Sequence, residues 1–238
     1  MLRCLGGLLI GWLTGAASAM TPGPDRILQC PEPDRYIRQW TLRSGNTLGA
    51  TLWSDGYVDA PMLRRPPLIA RCGNDGRYFR VAEAKVMMEM YPTMSASAPR
   101  SAREAPYVAR PSAQDFLAAL AQGLARSRNE EIMLRTSAWW AANDVLRART
   151  ADPAATTPFS PQSAARDNLE RLVEMLDVDN PDERFAKAEG SRQLARFDAA
   201  RRLLEGPFPQ RMQSAVRQVK QWAGERDPLV RMLATAGP

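Results

Sequence analysis

The chain has 238 residues, a formal charge of +6 and no histidine, with a pI near 9.6. Without histidine neither a Ser-His-Asp or Cys-His relay nor a His-ligated metal centre can be built, so acid–base chemistry near neutral pH falls to carboxylates or to Lys85, Lys187 and Lys220. The positive charge is almost all arginine, without a long basic run or basic–aromatic interleaving, which describes a mildly basic solvated surface and argues against a nucleic-acid partner.

At the N-terminus Arg3 precedes an apolar run from Leu5 to Leu13 that ends in Ala17-Ser18-Ala19, the order of a secretory signal peptide and too short to span a bilayer. On that reading residues 1–19 are removed and a periplasmic or secreted chain starts at Met20. On the other reading Met20 is itself the start and the chain is cytoplasmic. Cys30 and Cys72 each open half of a metal-binding knuckle, with Pro33 and Asp75 where the second cysteines would stand. Two thiolates and one carboxylate make a poor structural zinc site, so neither metal nor cofactor is expected.

Residues 27–90 read as short strands and turns. Tyr36, Trp40 and Leu42 share one side of an extended segment; Leu48, Ala50 and Leu52 alternate with polar neighbours and Trp53 in a second. Gly45-Asn46 and Ser54-Asp55-Gly56 are turn signals, the latter leading into Tyr57-Val58 as a return strand. Ala60-Pro61 through Pro66-Pro67 is an extended connection, because proline removes ladder donors and disfavours helix in the residue before it. A last strand spans about Arg77 to Val81, and Ala82 to Met90 is read as a short helix with Val86, Met87 and Met90 apolar. Residues 91–111, rich in Pro, Ser and Ala, read as an exposed linker.

Residues 112–238 carry helical periods. Ser112 with Asp115 forms an N-cap pair before Phe116, Leu117, Leu120 and Leu124; Asn129 caps a helix carrying Ile132, Met133, Trp139, Trp140 and Leu146. After a loop from Thr150 to Pro161, Leu169, Leu172, Val173 and Leu176 mark another helix. Asn180-Pro181 with Glu183 combines cap, first-turn proline and acidic third residue. Helices from Phe197 to Leu204 and Phe208 to Trp222, then a short one opened by Asp227-Pro228, end the chain.

The stretch from Leu194 to Leu204 resembles the inter-helix turn of a tetratricopeptide repeat, with Ala195 where that family prefers glycine and Phe197 one place early. One such unit is present, and a solenoid needs about three, so the resemblance implies a helical hairpin within a small bundle. As a whole the layout is similar to an uncharacterised bacterial family in which a CPxCG-type zinc ribbon with an internal S-G-N-T hairpin precedes a tetratricopeptide-like segment. The matching residues are Cys30-Pro31, Arg43-Ser44-Gly45-Asn46-Thr47, Asp55-Gly56, Ala60-Pro61-Met62-Leu63, Cys72, Phe79, Trp139-Trp140, Asn143-Asp144 and Arg196-Phe197-Asp198. The family's metal ligands carry over only at Cys30 and Cys72. A ribbon lays its two knuckles side by side, which implies a Cys30–Cys72 disulfide if the chain is exported; in a reducing compartment both thiols stay reduced and buried. The fold class expected is α+β, a small ribbon-like antiparallel β-domain followed by an α-helical, tetratricopeptide-like bundle.

No pattern requires catalysis. Glu130-Glu131 and Asp177 with Asp179 read as solvated helix ends, and Asp177-Val178-Asp179-Asn180 lacks the glycine and final glutamate of a calcium loop. Gly73-Asn74-Asp75-Gly76 reads as a turn, and Met87, Met88, Met90 and Met94 as core filling. Of Trp139 and Trp140, about 100° apart on a helix, one anchors the bundle and the other meets the β-domain or a partner. The expected task is non-enzymatic protein–protein interaction in the bacterial cell envelope, the partner being another protein with an acidic surface. The expected contact is a C-terminal arginine and aromatic face carrying Arg192, Arg196, Arg201, Arg202 and Trp222. Two alternatives remain: a carboxylate-based hydrolase in an interdomain cleft, and a cytosolic ribbon protein binding nucleic acid or a macromolecular assembly.

Overall fold

The computed structural model describes residues 20–73, 76–91, 99–149 and 163–234. The signal-peptide reading of residues 1–19, Asp75, Met94 and the loop from Thr150 to Pro161 lie outside the described residues. The fold is α+β: small antiparallel sheets fill the N-terminal half and helices the C-terminal half.

The central sheet is three-stranded, with β2 (Asp25–Gln29) between β3 (Tyr36–Gln39) and β9 (Val86–Met90). Three further pairs complete the β region: β1 (Thr21–Pro22) with β4 (Leu42–Ser44), β5 (Thr51–Leu52) with β6 (Val58–Asp59), and β7 (Ile69–Arg71) with β8 (Tyr78–Arg80). Successive side chains of β2 point to opposite faces, so its apolar pair serves two cores. Leu28 packs with Cys30, Ile37, Ala70, Cys72 and Val81, and Ile27 with Met90, Ala102 and Ala105. Cys30 and Cys72 form a disulfide with Cα atoms 6.0 Å apart, inside the first of these clusters.

Three expectations for this region change. Residues 82–90 are not a helix: a 3-10 turn over Val81–Glu83 gives way to β9, which pairs with β2 through Met88 and Ile27. A short apolar run has no period long enough to separate strand from helix, and pairing decides. Residues 99–111 are not a free linker. The short helix α1 (Arg100–Arg103) and Ala105 cover one face of the central sheet, and Tyr107 bridges Arg38 in parallel. The Gly45-Asn46 turn moves on a few residues, to Thr47–Ala50, where Gly49 holds φ 73°.

The helices are α2 (Ala113–Ala121), α3 (Arg128–Arg149), α4 (Ala164–Met175), α5 (Pro181–Gln193), α6 (Phe197–Leu203) and α7 (Gln213–Gly224). Each packs on the next in sequence, and α5 also touches α7. Local chemistry sets their starts. Ser112 and Asp115 form a full capping box on α2, and the Asn180 side chain accepts from Asp182 and Glu183 N–H ahead of Pro181. For α3 the Ser127 hydroxyl accepts from Glu130 N–H, replacing the expected Asn129. Three helices end in the same paired-hydrogen-bond turn with a left-handed residue: Gly123 after α2, Ala195 after α5 and Arg226 after α7. Gly190 lets α5 approach α4, because a Cβ there would lie 2.7 Å from Val173 Cγ2. Asp227-Pro228 opens no helix: Asp227 Oδ1 accepts from Leu229 N–H, and the chain then runs beside β5, with Leu233 N–H donating to Leu52 O.

Candidate functional site

The Ser54-Asp55-Gly56 turn forms as read, but it is not a surface loop. Gly56 takes φ 78° and Asp55 Oδ1 accepts from Tyr57 N–H, so the hairpin closes tightly enough to enter the helical region. Ser54 is fully buried, and its hydroxyl donates to Glu189 Oε1 at 2.6 Å while accepting from Arg231 N–H at 3.0 Å. Asp55 Oδ2 accepts from Asn143 Nδ2 at 2.7 Å and from Arg147 Nη2. Glu189 and Arg192 form a fully buried two-point ion pair at 2.6 and 2.8 Å, and Arg192 also donates to the Asp227 and Leu229 carbonyls. Gln193 joins the halves: its amide nitrogen donates to Glu189, and its oxygen accepts from Trp139 Nε1 and Asn143 Nδ2. Burial pushes the Asp55 carboxyl above its ordinary value of 3.8, against the opposing pull of Arg147, Asn143 and Tyr57 N–H.

This sealed cluster bears directly on the hydrolase alternative. Asp55 and Glu189 are two carboxylates at the meeting of the β region and the helices, one with a raised pKa. Both are buried with their oxygens held by arginine, amide and hydroxyl donors, and neither is in the lining of the groove above the cluster or of the shallower hollow past Arg196 and Arg202. Ser54 has a carboxylate at its hydroxyl, but it is fully buried and its oxygen accepts from Arg231 N–H, so no substrate reaches it in this arrangement.

Above the cluster lies a groove of about 830 Å³. Its floor comes from α2 and α3 through Phe116, Met133 and Trp140; its walls come from β6, the proline-rich segment 60–68, and residues 108–111. Trp140 belongs to both layers, since its Nε1 donates to Asp55 O at 2.9 Å while its ring faces the groove. Tyr57 meets that ring at 5.8 Å with planes tilted 60°. Arg147 lies 4.3 Å from the Tyr57 centroid and Arg110 5.8 Å from it; Arg65 lies 5.6 Å from the Trp140 centroid. Leu63 and Leu68 expose apolar surface along the rim, and Met133 does so from the floor. The cluster thus holds Trp140, in the floor of the groove, from below through its indole N–H and its carbonyl.

The expected C-terminal face does not hold together. Arg192 has no exposed surface, so it cannot meet a partner; its guanidinium sits 5.5 Å from the Trp222 ring, which is half-buried against the core of Ala188, Leu204 and Val219. Arg196 is exposed and paired with Glu170 at 2.8 Å, and Arg201 and Arg202 are exposed on α6. A shallower hollow of about 600 Å³ runs past Arg196 and Arg202. The Glu189-x-x-Arg192 spacing, one turn apart beside the small residues Ala188 and Gly190, was the signal for an internal pair. The groove residues Tyr57, Arg64, Arg65 and Arg110 were not singled out; Leu63-Arg64-Arg65 between prolines was their only local mark.

The zinc implied by the ribbon resemblance does not fit. Cys30 and Cys72 are joined to each other, Pro33 offers no donor, and Glu32 is the one further donor close by among the described residues, its Oε1 accepting from Arg77 N–H. No family model matches the chain, and no curated protein and no solved structure is similar enough to count as a match. The resemblance therefore rests on the residues quoted for it alone.

Proposed function

We propose that this chain is a non-enzymatic interaction protein of the bacterial cell envelope, a ribbon-like β-domain joined to a tetratricopeptide-like hairpin, and that it meets its protein partner in the groove over Trp140. The observation that carries this reading is a preformed, open, aromatic and proline-lined groove whose central Trp140 is hydrogen-bonded to a sealed polar cluster. The disulfide supports an oxidising compartment, and no described helix is long and apolar enough to cross a membrane. The raised pKa of Asp55 is the one point in favour of a hydrolase, and its enclosure counts against that reading. A photo-crosslinking residue placed at Leu63 and, as a control, at Lys220 tests the site in cells. Discrete protein adducts from position 63 alone support it; equal patterns from both positions refute it.

A further inference from the structure

We propose that the groove takes an extended, acidic, proline-containing segment of the partner, with Arg64 and Arg65 binding its carboxylates. This rests on the groove being the partner surface. Arg64 and Arg65 are exposed, and neither forms an ion pair with a described residue, whereas Arg110 close by is held by Asp144 at 2.7 Å. Arg65 lies over the Trp140 ring, an arrangement that leaves the in-plane N–H groups of a guanidinium directed outward for a carboxylate. Charge complementarity therefore calls for acid.

The apolar lining calls for proline. Leu63, Leu68, Met133 and Phe116 offer no hydrogen bonds, and the Ser137 hydroxyl already donates to Met133 O. An ordinary extended peptide would lay N–H groups against these apolar side chains, which accept none, while proline has none to satisfy and arrives in a preformed extended helix. A single-stranded nucleic acid shares the negative charge but needs free aromatic faces for stacking. Two of those faces are taken: Tyr57 carries Arg147 and Arg110, and Trp140 carries Arg65.

The test is fluorescence anisotropy with the oxidised full chain and short labelled peptides of alternating Glu-Pro, Ser-Pro or Lys-Pro, with oligothymidylate as a fourth probe. The Glu-Pro peptide should bind tightest and weaken as salt is raised. Arg64→Glu with Arg65→Glu, folded by circular dichroism, should weaken it by about tenfold, the scale of reversing two rim charges. Equal binding of Ser-Pro, or an unaffected double variant, overturns the acidic preference while leaving the groove as a partner site. Tighter binding of oligothymidylate overturns the proposal in favour of nucleic acid. If no probe binds, the proposal fails, and the Leu63 crosslinks decide separately whether the groove meets any partner.

Discussion

The β region and the helical region hold their parts together by different means. Strands of two to five residues bury little each, so the β region relies on the Cys30–Cys72 staple inside a small cluster and on α1 covering the other face of the central sheet. The helices rely on caps and on continuous apolar stripes, as where Trp139 packs with Leu169, Leu172 and Val173. Where the two regions meet, neither means is used: the joint is polar, with Ser54 and Asp55 seated on Glu189, Arg192, Asn143 and Arg147. A buried ionic joint adds little net stability compared with apolar packing, but it tolerates one arrangement only, because any shift leaves a charge unpaired. The lesson is that the staple and the helical cores keep each region folded, while the joint fixes how they sit and so shapes the groove.

The comparison breaks most visibly at the joint. Arg192→Met leaves Glu189 buried without its cation, and a cost of about 3–5 kcal/mol is expected in urea unfolding. Adding Glu189→Gln should recover part of that cost; a single variant as stable as the parent would remove the joint from the argument. The staple comes next. For cysteines 42 positions apart, Cys30→Ser with Cys72→Ser should cost about 3–4 kcal/mol on the chain-entropy view, and an unchanged urea midpoint would show that the β region does not depend on it.

A smaller effect of opposite sign is expected at Ala195. It sits at φ 60° in the turn between α5 and α6, where a Cβ is strained, so Ala195→Gly should stabilise by about 1 kcal/mol. Destabilisation would mean that the Ala195 methyl makes a contact worth more than the strain. The smallest effect concerns pH. Hydrogen bonds from Arg80 hold Glu83 and Glu130 below their ordinary value of 4.5. Their folded pKa values are lowered, so their contribution is present above 4.5 and is lost as pH falls through the folded values. Asp55 runs the other way: its folded value is raised, so its contribution is present below 3.8 and is lost as pH rises through the folded value. Arg80→Gln should therefore flatten the loss of stability in acid, read as urea midpoints across the acid range, and leave the Asp55 window untouched; an acid limb as steep as the parent's would show that other carboxylates carry it.

Features encoded within a few residues were legible in the sequence. The caps at Ser112 and Asn180, the Ser54-Asp55-Gly56 turn and the order of strands then helices are all local signals. What depends on distant partners was not. β9 becomes a strand because β2 lies beside it across some sixty residues, and Asp227-Pro228 becomes an extended approach because β5 is waiting. Arg192 looked like surface charge, since the sequence does not show that Ser54, from the other half of the chain, closes over it. The groove was invisible for the same reason: Arg65 faces a tryptophan that lies about seventy-five positions further on.

The central claim is that the polar joint binds the β hairpin and the helices into one cooperative unit. Native-state amide hydrogen exchange measures this directly, by comparing Trp53 and Ser54, whose N–H groups donate to Tyr57 O and Arg231 O, with Ala188 and Glu189 inside α5. All four amides should exchange only through global unfolding, with the same free energy and the same dependence on denaturant. Exchange of Trp53 and Ser54 through a smaller opening, while α5 stays protected, would contradict the claim.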